Sequence, residues 1–222
     1  MESMRSLLGK KVELKISGCK VPIMGELVDL GSDIIVIFSE TRYVYVPIHH
    51  LQHMKLAQDG EGEDSSPGDS EPLVDHNHIS YRKMLMNSRG IFTEISLGGP
   101  SPLHGYVTSI MNDYFIFFSP LYHSVYIPLN HVKSICPLPP TMTPYYLSQH
   151  LIQVQQPAVS LSRTLDQQLE KFQNELVIFD LGESPLKAGL LKKVDNRIIE
   201  LVEAGGSTIL LHCDHIKSIH LP

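Results

Sequence analysis

Three stretches of this chain align with one another, and that repetition limits the fold more than any other feature, because a supersecondary unit that recurs in register must fold alike each time. The first runs from VELKISGCKVP to HHLQHMKL, the second from IFTEISLGGPSP to HVKSICP, and the third from LVIFDLGESP to HIKSIHLP. Gly25, Gly105 and Gly189 fall in register, each preceded by a proline (Pro22, Pro102, Pro185). His50, His131 and His215 follow those glycines by 25, 26 and 26 residues. Two landmarks at nearly constant separation mark one module used three times.

Each module reads as the same series of strands. Alternating residues such as Val12, Leu14 and Ile16 open the first, and Ile91 to Leu97 and Leu176 to Leu181 open the others. A Gly/Pro turn follows (SGCKVP, LGGPSP, LGESP), and a second strand starts at the aligned glycine. A polar turn (GSD, MND, VDN) leads into a continuous apolar run, IIVIF, YFIFF or IIELV, which suggests burial on both faces. A fourth strand, YVYVP, VYIP or ILLH, precedes a histidine-bearing turn and a fifth strand. The glycine is required where a bent strand is approached closely by another backbone. Five short antiparallel strands in about 45 residues point to a small bent barrel, since closure removes exposed edges. The expected fold is thus mainly β, with tandem five-stranded barrels of Sm-like or SH3-like type and short preceding helices.

The expected domains are 6–56, 79–137 and 165–222, joined by a linker at 57–78 and a Pro-rich connector at 138–164. Residues 57–78 hold seven acids and no Lys or Arg, so the net charge of −6 leaves about +1 for the rest. Such composition predicts a disordered tether. Two short helices are expected, one within 75–90 using Ile79, Met84 and Leu85, and one over 165–174 with Leu165, Leu169 and Phe172 on one face.

The residues offer little chemistry. There is no G-x-S-x-G elbow, P-loop, G-x-G-x-x-G or HExxH, and the GGP at 98–100 is a hairpin turn rather than a phosphate cradle. Twelve histidines invite a metal, but none stand at ligand spacings, and His50, His131 and His215 read as a repeated turn residue. Asp33 and Asp113 align with Arg197, which argues against carboxylate chemistry repeated in every module. Cys19, Cys136 and Cys213 are too far apart for a CxxC site and read as reduced thiols. No run of about 18 apolar residues suggests a membrane span. No catalytic residue, cofactor or metal is expected.

The closing phrases HVKSI at 131–135 and HIKSI at 215–219, with the GGP turn, resemble spore coat protein B of endospore-forming bacteria. The first module is degenerate in this respect, with LQHMK and SGCKVP in place of those phrases. The resemblance implies a non-enzymatic structural protein, made in the mother-cell cytoplasm and deposited on the spore surface among other coat proteins, with self-association as a further possibility. That family's serine- and lysine-rich tail, and its modification, are not carried over to this chain. The barrel pattern is also similar to Sm-like proteins, so an RNA-binding adaptor is the alternative, although fold alone does not carry function. Charge favours the coat reading over nucleic acid. The first module has six Lys/Arg against five acids, the second four against two, and the third six against nine, with no basic cluster.

Overall fold

The computed structural model describes residues 2–57, 79–139, 145, 159–183 and 185–222. Nearly all of the acidic linker and most of the Pro-rich connector lie outside the described residues, and so does the disorder expected there. Among the described residues the chain is mainly β, with fifteen strands, three short α-helices and antiparallel pairing throughout.

The first repeat comprises β1 (Lys11–Ile16), β2 (Ile23–Leu30), β3 (Ile34–Ser39), β4 (Arg42–Pro47) and β5 (Leu51–Leu56), after a short helix α1 (Glu2–Arg5). Helix α2 (Tyr81–Asn87) leads into the second, with β6 (Phe92–Ser96), β7 (Leu103–Ile110), β8 (Tyr114–Ser119), β9 (His123–Pro128) and β10 (Ser134–Pro137). Helix α3 (Leu165–Lys171) leads into β11 (Leu176–Phe179), β12 (Lys187–Asp195), β13 (Ile198–Val202), β14 (Thr208–His212) and β15 (Ile219–His220). Both helices start where a hydroxyl caps them. Ser80 Oγ accepts from Lys83 N and Thr164 Oγ1 from Gln167 N, satisfying amides that the first turn leaves without partners.

Compactness divides the chain into two units rather than three. One contains residues 1–104 and 132–142, the other 105–131 and 143–222. The first unit therefore holds the whole first repeat together with β6 and β10, and the second holds the whole third repeat together with β8, β9 and most of β7. The cause is strand pairing between repeats. In the first unit β10 pairs with β4, Ile135 opposite Tyr45, while also pairing with β6. In the second unit β15 pairs with β9, Ile219 opposite Tyr126, while also pairing with β11. The strand order is β6-β10-β4-β3-β2-β1-β5 in the first unit and β14-β13-β12-β11-β15-β9-β8-β7 in the second. Within them, the first and third repeats share one internal order: the fifth strand lies beside the first, and the fourth stands at the far side.

The aligned glycines are the third residues of β2, β7 and β12. A Cβ on Gly25 would lie 2.2 Å from the Phe38 carbonyl oxygen, one on Gly105 1.9 Å from that of Phe118, and one on Gly189 2.2 Å from that of Val202. The end of the third strand presses onto the second in each repeat, and only a residue without a side chain fits. Two residues further on, each second strand carries a register shift, between Leu27 and Asp29, Val107 and Ser109, and Leu191 and Lys193. These three matching bulges increase the local twist and bend the strand.

The continuous apolar runs have two faces to satisfy. In β8, Tyr114 and Ile116 join the core around Leu169, Phe172, Phe179 and Leu191, so one face of the second repeat's third strand packs on the third repeat. In β3, Ile35 and Ile37 serve the first repeat's core with Leu14 and Leu27, while Ile34 and Val36 are buried on the other face. The two-sided burial expected of the third run is not found. In β13, Ile199 and Leu201 are buried, whereas Ile198 is exposed and Glu200 is half-buried with an ion pair to Lys192 at 2.9 Å. Among the described residues this face is left partly open, and the run alternates. Each fully buried Leu or Phe contributes roughly 1.5–3 kcal/mol relative to exposure.

Candidate functional site

The junctions between repeats carry side-chain hydrogen bonds from aligned positions. His50, His131 and His215 each end a 3-10 turn between the fourth and fifth strands, spanning Ile48–His50, Leu129–His131 and Cys213–His215. Their surroundings differ with position along the chain. His50 is buried, with Nδ1 2.9 Å from Ser17 Oγ and 3.1 Å from the Lys133 ammonium of the second repeat. His131 places Nε2 2.8 Å from the main-chain oxygen of Asp214 in the third repeat. His215 is exposed, beside His212 at a ring separation of 5.8 Å. The turn histidine thus touches the following repeat wherever one follows.

A serine oxygen at 2.9 Å from an imidazole is the distance at which a base activates a nucleophile. Here the Lys133 ammonium also donates toward Nδ1, and Nδ1 has a single lone pair to accept with. The arrangement ties the SGCKVP turn, the histidine turn and the start of β10 into one polar knot.

The aligned carboxylates have a second role in both junctions. Asp33 Oδ1 accepts from Tyr81 N at 2.8 Å, and Asp113 Oδ1 from Leu165 N at 3.0 Å. Each carboxylate in the turn after a second strand therefore receives the first amide of the helix that introduces the next repeat. Arg197 stands at that position in the third repeat.

Arg197 borders a cleft of the second unit, about 300 Å³ and lined by Asp113, Asn130, His131, Asp166, Cys213 and Asp214 among others. Its guanidinium is 3.5 Å from Asp166 Oδ2 and bonds Asp214 Oδ1, and these carboxylates, Asp166 foremost, push its pKa up. Burial pushes the Cys213 thiol up to about 11, so it stays protonated at neutral pH and is a poor nucleophile. Three carboxylates against one guanidinium give the cleft an unfavourable field for phosphate.

Sequence patterning located the turn histidines and the glycines. It did not reveal the cross-repeat pairs Tyr45–Ile135 and Tyr126–Ile219, or the capping role of Asp33 and Asp113. The available signal was that both carboxylates belong to repeats followed by a helix. Among the described residues, no group of three or more His, Cys, Asp or Glu is placed to hold a metal, and no helix is long and apolar enough to cross a membrane. Cys19, Cys136 and Cys213 are all free thiols.

Residues 164–219 match the family model described as the YwrJ third domain. Over 226 aligned residues the chain is 38% identical to an uncharacterized protein YwrJ of Bacillus subtilis (strain 168), with 100% of each covered.

Proposed function

The chain belongs to the YwrJ family, and we propose that it is a structural, non-enzymatic component of the bacterial endospore coat, assembling through protein–protein contacts at the spore surface. The observation that carries this reading is the use of the repeats: strand edges, helix ends and turn histidines are spent on joining one repeat to the next. The resemblance of HVKSI and HIKSI to the coat protein B repeats supports the location. Each repeat is read as a bent five-stranded barrel of Sm-like type, supported in the first and third by the first-to-fifth pairing, the close-packed glycine and the bulge beyond it.

The partners on this reading are other coat proteins, met after synthesis in the mother-cell cytoplasm. An RNA-binding adaptor is the competing reading, and the carboxylates around Arg197 weigh against it. A fluorescent fusion followed through sporulation tests the proposal, with a ring at the spore periphery expected. A signal that stays diffuse in the mother cell, or submicromolar single-stranded RNA binding with a steep salt slope, overturns it.

A further inference from the structure

The two junctions within the chain obey one rule, and among the described residues the rule leaves two matching ends open. In the first unit, Tyr45 of β4 sits opposite Ile135 of β10, and both are 0% exposed. In the second, Tyr126 of β9 sits opposite Ile219 of β15, at 1% and 0%. The tyrosines lie five residues before His50 and His131, and the isoleucines four residues after His131 and His215. Counting from the same histidines places Leu210 at the tyrosine position of the third repeat and Met54 at the isoleucine position of the first.

Pairing within the repeats gives the same assignment. Tyr45, Tyr126 and Leu210 stand opposite Val36, Ile116 and Glu200 of their third strands. Met54, Ile135 and Ile219 stand opposite Leu14, Ile95 and Phe179 of their first strands, all buried. Leu210 is 70% exposed, and β14 and β5 each end the strand order of their unit. Leu176 of β11, Leu190 of β12 and Ile198 of β13 are also exposed.

From this repetition we infer that copies of the chain join head to tail, β14 of one pairing antiparallel with β5 of the next and Leu210 seated opposite Met54. The contact is heterologous, so it adds copies until a ring closes or a filament grows. An open edge with an exposed apolar side chain is a ready template for such pairing. The occupant is a second copy because the complementary edge is the one already used twice inside the chain. One difference sets the strength: Glu200, paired with Lys192, occupies the place of the buried Val36 and Ile116. The joint between copies is therefore weaker than the internal ones and reversible. The inference concerns how copies meet and holds wherever they meet, so it stands or falls separately from the coat reading.

The test uses the full purified chain in a Cys19→Ser background. Mass measured by light scattering is expected to rise with concentration over roughly 1–100 μM, the range of a reversible joint. Leu210→Lys should hold the protein monomeric, while Leu186→Lys, at another exposed leucine, leaves association unchanged. For register, a mixture of Leu210→Cys and Met54→Cys chains should give disulfide-linked dimers under mild oxidation, as directly opposed residues are within reach. A monomer at every concentration, or Leu210→Cys chains that link to each other as readily as to Met54→Cys chains, overturns the inference. A fusion that stays diffuse in sporulating cells, alongside purified protein that associates as described, would sink the coat reading and leave this one intact.

Discussion

Replacing Gly105 with alanine should be among the most damaging small substitutions in the chain. The new Cβ would stand 1.9 Å from the Phe118 carbonyl oxygen, 2.8 Å from its carbon and 2.9 Å from Phe117 Cε1. The first distance is about 1.5 Å short of ordinary van der Waals contact. The obstacle is backbone, so no side-chain rotation relieves it; β7 and β8 must separate where Tyr106 opposes Phe118. Overpacking strain costs about 1–3 kcal/mol, and one or two weakened ladder bonds cost about 1 kcal/mol each. The stiffer unfolded chain offsets about 0.4–1 kcal/mol. A net loss of about 2–4 kcal/mol corresponds to a fall in Tm of roughly 10–20 °C for a unit of about 100 residues. The chain has nine Tyr and no Trp, so tyrosine near-ultraviolet circular dichroism reports the transition. Gly205→Ala is the control, because a Cβ there meets nothing within 4 Å, and it should change stability by less than about 0.5 kcal/mol. If Gly105→Ala melted with the wild type, close backbone approach would not be the reason for glycine here, and the same argument for Gly25 and Gly189 would fall with it.

Asp113→Ala should cost about 1 kcal/mol and speed amide exchange at Leu165 and the following turn of α3, since the helix loses the acceptor 3.0 Å from its first N–H. Asp180→Ala should cost about 3 kcal/mol in urea titration, because the Asp180 carboxylate is buried and accepts from both the Lys187 ammonium and Lys217 N, and Asp180→Asn should recover part of it. Burial raises the pKa of Tyr114 and of Tyr126 to about 12, while an unfolded tyrosine ionises near 10. The unfolded chain thus loses these protons first, and stability should be level below about pH 10 and fall between about 10 and 12, less steeply in Tyr126→Phe. Burial likewise holds the Cys136 and Cys213 thiols near 11, so iodoacetamide at pH 8 should modify the half-exposed Cys19 first and the other two only after denaturation; rapid native labelling of all three would contradict the burial.

The elements that depend on neighbouring residues were legible in the sequence. Strand alternation, the Gly/Pro turns, the short helices and the glycine at 25, 105 and 189 follow from local periodicity and from a steric demand that only one residue type meets. Histidine spacing placed His50, His131 and His215 in equivalent turns for the same reason. What these residues touch was decided by the tertiary structure. An apolar run such as YFIFF has the same pattern whether its second face meets its own core or a neighbour's, because alternation records which side chains share a face and not what covers it. Only the fold shows that Tyr114 and Ile116 pack into the third repeat's core, and that IIELV carries Glu200 on its second face. Tyr45 reaches Ile135, and Tyr126 reaches Ile219, across about 90 residues of sequence. Pairing at that distance is selected by which edges remain unfilled once each repeat has satisfied its own ladder, a condition that exists only after the repeats have folded.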